Sequence, residues 1–397
     1  LNISSMSKIN IPDSVCYVAP DVPVPGPRGS SVHVLELSKS LMKIGYRVHV
    51  VARRNSQRDS ETECVQGITI HRIFRRMAMR EKKDGSGGKP TAISRIYYLY
   101  LRTVFTMYAA FKIVAIVRHY RIGSILERET AFGAGAIASA ITRRPLVLEI
   151  VGPRYSRLSV RMSRKILYYT ETMLRGWVPV SKCVKVPAGV DTESFKPDGI
   201  YRTEVRDRLG IHPEDFVFGY IGTFQKWHGL ETLLHATKAL HESVPRMKVL
   251  LVGPDYFHYG SLSKAMGLSE VCIFPGPVPH EDVPRYINAC DVMVALYDPT
   301  KEPLRKKYGI GFPIKILEYI ACGKPVISTR IDLIINLAKG AEGVVMTEPG
   351  DIEQLTSVMK EMLLHKEDRR ANVDVALNYS WDELGKTVSE CLSTRAS

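Results

Sequence analysis

The chain has 397 residues, 45% hydrophobic and 24% charged, a globular composition that excludes a single small core and suits two domains of about 200 residues each. A formal net charge of +14 favours partners that carry phosphate, whether nucleotide diphosphates, anionic lipids or nucleic acids, without choosing among them. Seven cysteines, odd in number, dispersed and without a CxxC pair, argue against a disulfide framework or a zinc site and suit a reducing compartment.

The N-terminal segment lacks the basic start and apolar core of a secretory signal, so a cytoplasmic location is expected. Short β-branched runs alternate with helical patterns along nearly the whole sequence, which predicts parallel sheets with helical crossovers. In the first half strands are expected at 15–19, 47–52, 68–74, 124–127 and 146–151. The first strand runs through a Pro/Gly segment, 23–31, into a helix over 31–44 in which Val34, Leu37, Leu41 and Ile44 recur at helical spacing. The amides of Gly26, Gly29, Ser30 and Ser31 at that helix mouth suit a phosphate or a sugar, or simply form a turn. The pattern is not GxGxxG, which argues against a dehydrogenase. His33 is either a ligand contact or a satisfied core residue.

The longest apolar stretch, 96–117, is interrupted by Arg102 and Lys112, which argues against a membrane span. Its Tyr97, Tyr98, Tyr100, Phe105, Tyr108 and Phe111 are bracketed by Arg95, Arg118 and Arg121, as in a helix lying on an anionic membrane surface; a core helix has the same periodicity. Segment 80–91 reads as a mobile basic loop, and the basic run 71–83 as a solvated face or a membrane-facing one, since it carries no nucleic-acid motif. His71, His212 and His280 stand without evident partners, and no His/Asp/Glu cluster has metal spacing.

A polar, helix-breaking link at 195–201 separates the halves, giving domains 1–195 and 196–378 with a final segment 379–397. Strands are expected at 216–221, 247–252, 271–274, 292–296, 325–328 and 343–346, with a helical stripe through Leu230, Leu233, Leu234, Thr237 and Leu240. Ligands of doubly wound sheets sit beyond the carboxyl ends of the strands, so two facing domains predict one deep cleft. Two loops suit a diphosphate. In 220–229, Gly222, Thr223, Lys226 and His228 lie between a strand and a helix, as a cradle or as a plain connection. In 309–327, a glycine-proline loop leads into a helix of about two turns from Ile314 with Lys315 in its first turn. Lys315 and Glu318 share a helix face and could equally pair with each other.

These residues resemble the retaining nucleotide-sugar glycosyltransferases of family 4, which have the GT-B fold. The likeness is carried by the Gly-Pro-Arg-Gly loop with His33 to Leu37, by 187–191 followed by 195–197, by 222–229, 250–253, 274–278 and 289–292, and by 310–329. Tyr379-Ser380-Trp381-Asp382 is similar to the start of the C-terminal helix that crosses back to the first domain in that family. The resemblance implies a metal-independent hexosyltransferase of the cell envelope with no tightly bound cofactor. A UDP-, GDP- or ADP-sugar would be held mainly by the second domain, and a glycan, glycolipid or lipid-linked acceptor by the first, with peripheral contact to the inner membrane face and no nucleic acid. Carried over by position, Glu318 would hold the ribose, and Gly311, Phe312, Pro313, Ile314 and Lys315 would face phosphates and sugar. Val278 and Pro279 would border the base, Gly253 would lie near the donor, and Gly29 would approach it from the first domain.

A glutamate that contacts the donor sugar in many relatives is replaced here by Ile310, and the usual Arg and Lys of the phosphate loop fall on Thr223 and His228. Lys226, Lys315 or the cluster 305–307 is expected to supply the charge. The helix usual between Val180 and Pro187 is nearly absent. On the acceptor side, Arg128 and Glu149 are expected to line the cleft, with a surface ion pair of Glu127 or Glu129 as the alternative. Two other readings remain open: a nucleotide-sugar epimerase or phosphorylase on the same fold, and a non-catalytic nucleotide-sugar-binding subunit that activates a partner.

Overall fold

The computed structural model describes residues 14–26, 29–54, 56, 59–75, 92–129, 132–152, 155–254, 256–302, 313–338, 342–365 and 373–393. They fall in two compact units, Leu1–Pro187 with Trp381–Ser397, and Ala188–Ser380.

The first unit contains β1 (Ser14–Pro23), α1 (Gly29–Lys43), β2 (Arg47–Arg54), β3 (Thr62–Val65), β4 (Ile68–Arg75), α2 (Ala92–His119), β5 (Ser124–Arg128), α3 (Ala134–Thr142), β6 (Leu146–Ile150), α4 (Arg157–Met162), β7 (Lys165–Tyr168) and β8 (Cys183–Lys185). They form an eight-stranded sheet of order β3-β4-β2-β1-β5-β6-β7-β8, parallel except at the β3–β4 pair. Val15 to Ala19 are completely buried, as expected of a central parallel strand covered on both faces. The strand order reverses between β1 and β5, beyond whose carboxyl ends ligand crevices of such sheets form. Between Pro179 and β8 the chain makes only a single 3-10 turn, Val180–Lys182.

The second unit contains α5 (Gly199–Leu209), β9 (Phe216–Ile221), α6 (Leu230–His241), β10 (Met247–Val252), α7 (Phe257–Ala265), β11 (Cys272–Gly276), α8 (Val283–Ala289), β12 (Val292–Ala295), α9 (Ile314–Ala321), β13 (Val326–Thr329), α10 (Asp332–Leu337), β14 (Val344–Thr347), α11 (Ile352–Leu364) and α12 (Asp374–Leu377). Its six strands run parallel in the order β11-β10-β9-β12-β13-β14, so the order reverses at β9. The polar link expected at 195–201 lies inside this unit. Asp198 accepts hydrogen bonds from the amides of Ile200 and Tyr201 and caps α5.

The last helix, α13 (Trp381–Ser393), belongs to the first unit and packs on α1. A Cβ on Gly385 would stand 2.0 Å from Ser40 Oγ, so glycine is what allows the two helices to approach this closely. Trp381 meets His33 edge-on at 5.2 Å between ring centroids.

Helix α2 is part core and part exposed surface. Ala109, Ala110, Ile113, Val114 and Val117 belong to the core of the first unit. Tyr97 and Tyr100 are each 62% exposed and Phe111 is 69% exposed. The stretch Leu99–His119 is apolar and long enough to cross a membrane by length and composition, with a third of it buried in the protein.

The basic run at 71–83 begins differently from the solvated face expected. His71 and Arg72 are buried, His71 against His49 at 3.1 Å and Arg72 in an ion pair with Glu63 at 2.6 Å. Burial, together with the neighbouring His49 and His119, lowers the His71 pKa to about 4. Residues 76–91, which include the expected basic loop, lie outside the described residues.

Candidate functional site

The second unit builds a compact site where β9 ends. Gly222 follows the strand at φ +150°, and a Cβ there would lie 2.9 Å from Lys315 Nζ. Beneath it, a Cβ on Gly253 would fall 1.9 Å from the Gly222 carbonyl oxygen. Two glycines therefore let the main chain pack close beside the Lys315 amine. Gly253→Ala is expected to cost at least the upper end of the ~1–3 kcal/mol typical of overpacking, read as a lower Tm; a melting curve like that of the wild type would contradict this close contact.

Helix α9 supplies Lys315 and Glu318. Pro313 precedes it and provides no side-chain cap, so the amides of Ile314 and Lys315 head a helix whose first N–H groups lack intrahelical partners and carry the positive end of its dipole. Part of the Lys315 stem remains exposed, but Nζ is enclosed. It donates to Tyr220 Oη at 3.1 Å and lies 4.5 Å from the centroid of the Tyr220 ring and 5.6 Å from that of Tyr297. Burial lowers its pKa to about 7, opposed by the charge of Glu318. Glu318 is buried and pairs through Oε1 with His280 Nε2 at 3.0 Å, so its partner is not Lys315, and His280 is not isolated as its sequence context suggested.

His228 is buried at the end of the same loop. Its Nδ1 donates to the Thr223 carbonyl at 2.6 Å and lies 2.8 Å from Tyr220 Oη. Lys226 is exposed on the short turn Lys226–His228. Val278 is half-buried and Pro279 exposed just before the turn His280–Asp282. Gly311, Phe312, Ile310 and the cluster 305–307 lie outside the described residues. His212, the other histidine without an evident partner, accepts from the Glu214 amide at 3.3 Å in a turn.

The first unit gathers polar groups beyond β1, β5 and β6. Glu149, expected to line a cleft, is instead fully enclosed, at 0% exposure. It accepts from Tyr17 Oη at 2.5 Å, Tyr169 Oη at 2.5 Å and His33 Nε2 at 2.6 Å. Burial pushes its carboxyl up, but the charge and hydrogen bond of His33, the Arg128 guanidinium and the Tyr169 hydroxyl outweigh burial and hold the pKa at about 2. Glu149 therefore presents no surface of its own to a ligand. Arg128 closes β5 amid the carboxylates of Glu149, Glu129 and Asp21. The alternative of a surface ion pair does not apply to Glu127, which is buried and accepts from the Gly135 amide at the start of α3, 3.0 Å away. Gly29 opens α1 with open space at its Cα.

Sequence reasoning missed Tyr220, Tyr297, His280, Tyr17 and Tyr169. Alternation along β9 puts Tyr220 on the same side as Gly222, a signal that was available. Tyr17 comes from a strand whose apolar character hid it, and Tyr169 from the segment just after β7. Among the described residues no group of three or more His, Cys, Asp and Glu has metal-binding geometry.

Residues 201–376 match the family model of Glycosyl transferases group 1. The chain is 28% identical over 215 residues to a D-inositol 3-phosphate glycosyltransferase of Corynebacterium aurimucosum, covering 50% of this chain and 48% of that protein. It is 26% identical over 225 residues to a GDP-mannose-dependent alpha-(1-6)-phosphatidylinositol monomannoside mannosyltransferase of Mycolicibacterium smegmatis, covering 55% and 58%. The chain thus spans about half the length of the curated relatives it matches. Among solved structures it is similar to HepE of Anabaena in complex with UDP-glucose, with a TM-score of 0.69 at 18% identity over 96% of this chain and 99% of that one. That likeness extends over both units and shows the two-domain fold. Over residues 201–376, the chain is thus similar to the group 1 glycosyl transferases.

Proposed function

We propose that the chain is a retaining glycosyltransferase that moves a hexose-type sugar from a nucleotide-sugar to a glycan, glycolipid or lipid-linked acceptor. The observation that carries the reading is the enclosed Lys315 ammonium at the head of α9, beside a main chain stripped to glycine at Gly222 and Gly253. A cation and helix-terminal amides fixed in this way stabilise negative charge as it develops on a departing diphosphate. Thr223, Lys226 and His228 border the same phosphates from the β9 loop, with Pro313 and Ile314 opposite. Glu318, with Oε1 turned to His280, offers Oε2 to the ribose, and Val278 and Pro279 flank the base. Two named relatives support a phosphorylated or lipid-linked polyol as acceptor, and the UDP-glucose complex of HepE supports a nucleoside diphosphate hexose as donor. In the first unit Arg128 addresses the acceptor, and Glu149 holds Arg128 and His33 in place.

Incubating the protein with sugar-labelled UDP-, GDP- and ADP-hexoses and a membrane extract is expected to give transfer with one of them. Neither transfer nor donor hydrolysis with any would overturn the reading.

The exposed Tyr97, Tyr100 and Phe111 of α2, with Lys112 and Arg118 on the same helix, support peripheral docking to an anionic membrane surface. Tyr100→Ser with Phe111→Ser is expected to lower co-sedimentation with phosphatidylglycerol-containing vesicles several-fold. Equal sedimentation of variant and wild type would remove α2 from this role.

A further inference from the structure

The diphosphate site of the second unit holds a hydrogen-bonded relay whose centre is an uncharged side chain. Tyr220 Oη donates to the Thr223 carbonyl at 2.6 Å, so its lone pairs face the other way and accept from Lys315 Nζ at 3.1 Å. His228 Nδ1, 2.6 Å from the same carbonyl, must carry a proton to make that contact, because a carbonyl oxygen only accepts. The phenol thereby fixes the direction of the lysine, and the Thr223 carbonyl that it shares with the histidine fixes the tautomer of His228. The Tyr220 hydroxyl is itself buried, and burial holds its pKa far above the ordinary phenol range, with Tyr319, Tyr297 and Tyr259 adding to the rise. It stays protonated throughout the working pH range and is a permanent donor to Thr223.

We propose that Tyr220 is a positioning residue that keeps the Lys315 amine aimed at the donor diphosphate and makes donor binding take up a proton at that amine. This rests on the diphosphate site assigned above. Among the described residues, the groups facing the amine are the phenols of Tyr220 on β9 and Tyr297 after β12, and Glu318 on its own helix, which is paired with His280; His228 and Tyr319 stand behind the two phenols. None brings Nζ into contact with a carboxylate, so burial leaves the amine partly neutral near pH 7. An arriving diphosphate supplies the missing counter-charge, the amine takes a proton from solvent, and the resulting ammonium donates to both the Tyr220 oxygen and a phosphate oxygen. Affinity for any nucleoside diphosphate therefore falls as pH rises from 7 toward 9, whatever its base.

The experiment is titration calorimetry of the full chain with UDP, GDP and ADP, each run at pH 6.5, 7.5 and 8.5 in two buffers of different ionisation enthalpy, which reads proton uptake directly. Wild type is expected to take up close to one proton per bound nucleotide at pH 8.5 and to lose about tenfold in affinity between pH 7.5 and 8.5, one decade per pH unit for a single linked proton. Lys315→Met is expected to bind weakly and without proton uptake. Tyr220→Phe keeps the ring and the fold, and is expected to weaken binding about tenfold at pH 7.5 and to move the pH limb to lower pH, because the amine loses the oxygen that accepts from its charged form. A Tyr220→Phe protein with the affinity and pH limb of the wild type would overturn the proposal, as would proton uptake that persists in Lys315→Met. If the wild type binds none of the three nucleotides, the assignment of the diphosphate site itself fails and this inference falls with it.

Discussion

Glu149→Ala is expected to destabilise the first unit by about 3–5 kcal/mol, the range for breaking a buried ion pair by removing one partner. Two tyrosine hydroxyls and an imidazole would lose their shared acceptor in a site with no solvent exposure, and each buried donor left unmade adds to the cost. In a unit of about 200 residues this corresponds to a fall in Tm of roughly 6–20 °C. The same group sets an acid limb. Its carboxyl titrates at about 2 in the fold, against an ordinary 4.5, so the unfolded chain holds more protons between those values. The stability it contributes, about 3 kcal/mol by linkage, is fully present above pH 4.5 and is lost as pH falls toward 2. Glu149→Gln should flatten that limb. A Tm and acid limb like those of the wild type in both variants would refute the account of this cluster.

Lys315→Ala is expected to leave the fold intact while weakening nucleoside diphosphate binding ten- to a hundred-fold, since hydrogen bonds to charged groups contribute about 1.5–3 kcal/mol. The sign of its effect on stability separates a binding role from a structural one. The amine titrates at about 7 in the fold and at 10.5 when unperturbed, so between these values the unfolded chain binds more protons. Burying this lysine therefore costs stability below about pH 7, and the cost fades as pH climbs to 10.5. Removing it should raise the Tm of the nucleotide-free protein, or leave it unchanged, while affinity collapses, the pattern of a group kept for function at the expense of stability. A fall in Tm with unchanged affinity for UDP, GDP and ADP would mean that Lys315 serves only packing.

Periodicity located what is buried. The continuous apolar runs of β1, β9 and β10, and the stripes of α1 and α6, appear where their spacing puts them, because a covered parallel strand and an amphipathic helix each leave a strong pattern over several residues. The short edge strands β3 and β8 left none. Lys165 to Tyr168 reads as a mixed segment, and only its pairing with β6 and β8 makes it a strand. Within the site, the glycines and Lys315 were legible because loop chemistry at a helix start is local in sequence. The partnership of Glu318 with His280 and the seat of Lys315 on Tyr220 and Tyr297 were not, since each joins residues tens of positions apart through the crossovers of a doubly wound sheet. Glu149 illustrates the opposite error: a carboxylate beside a strand end suggested an exposed ligand, and only the two tyrosines brought in by β1 and the segment after β7 show why it can be enclosed.

The chain enters and leaves the second unit along neighbouring tracks. Val190 pairs in parallel with Ser380, and the Val190 amide donates to the Tyr379 carbonyl at 2.6 Å. A module whose two ends are already clasped has the form of a cassette inserted into a host rather than of a bead on a string. Such a piece can be cut out, or reopened at another loop and its old ends fused, without pulling apart a single strand of its sheet.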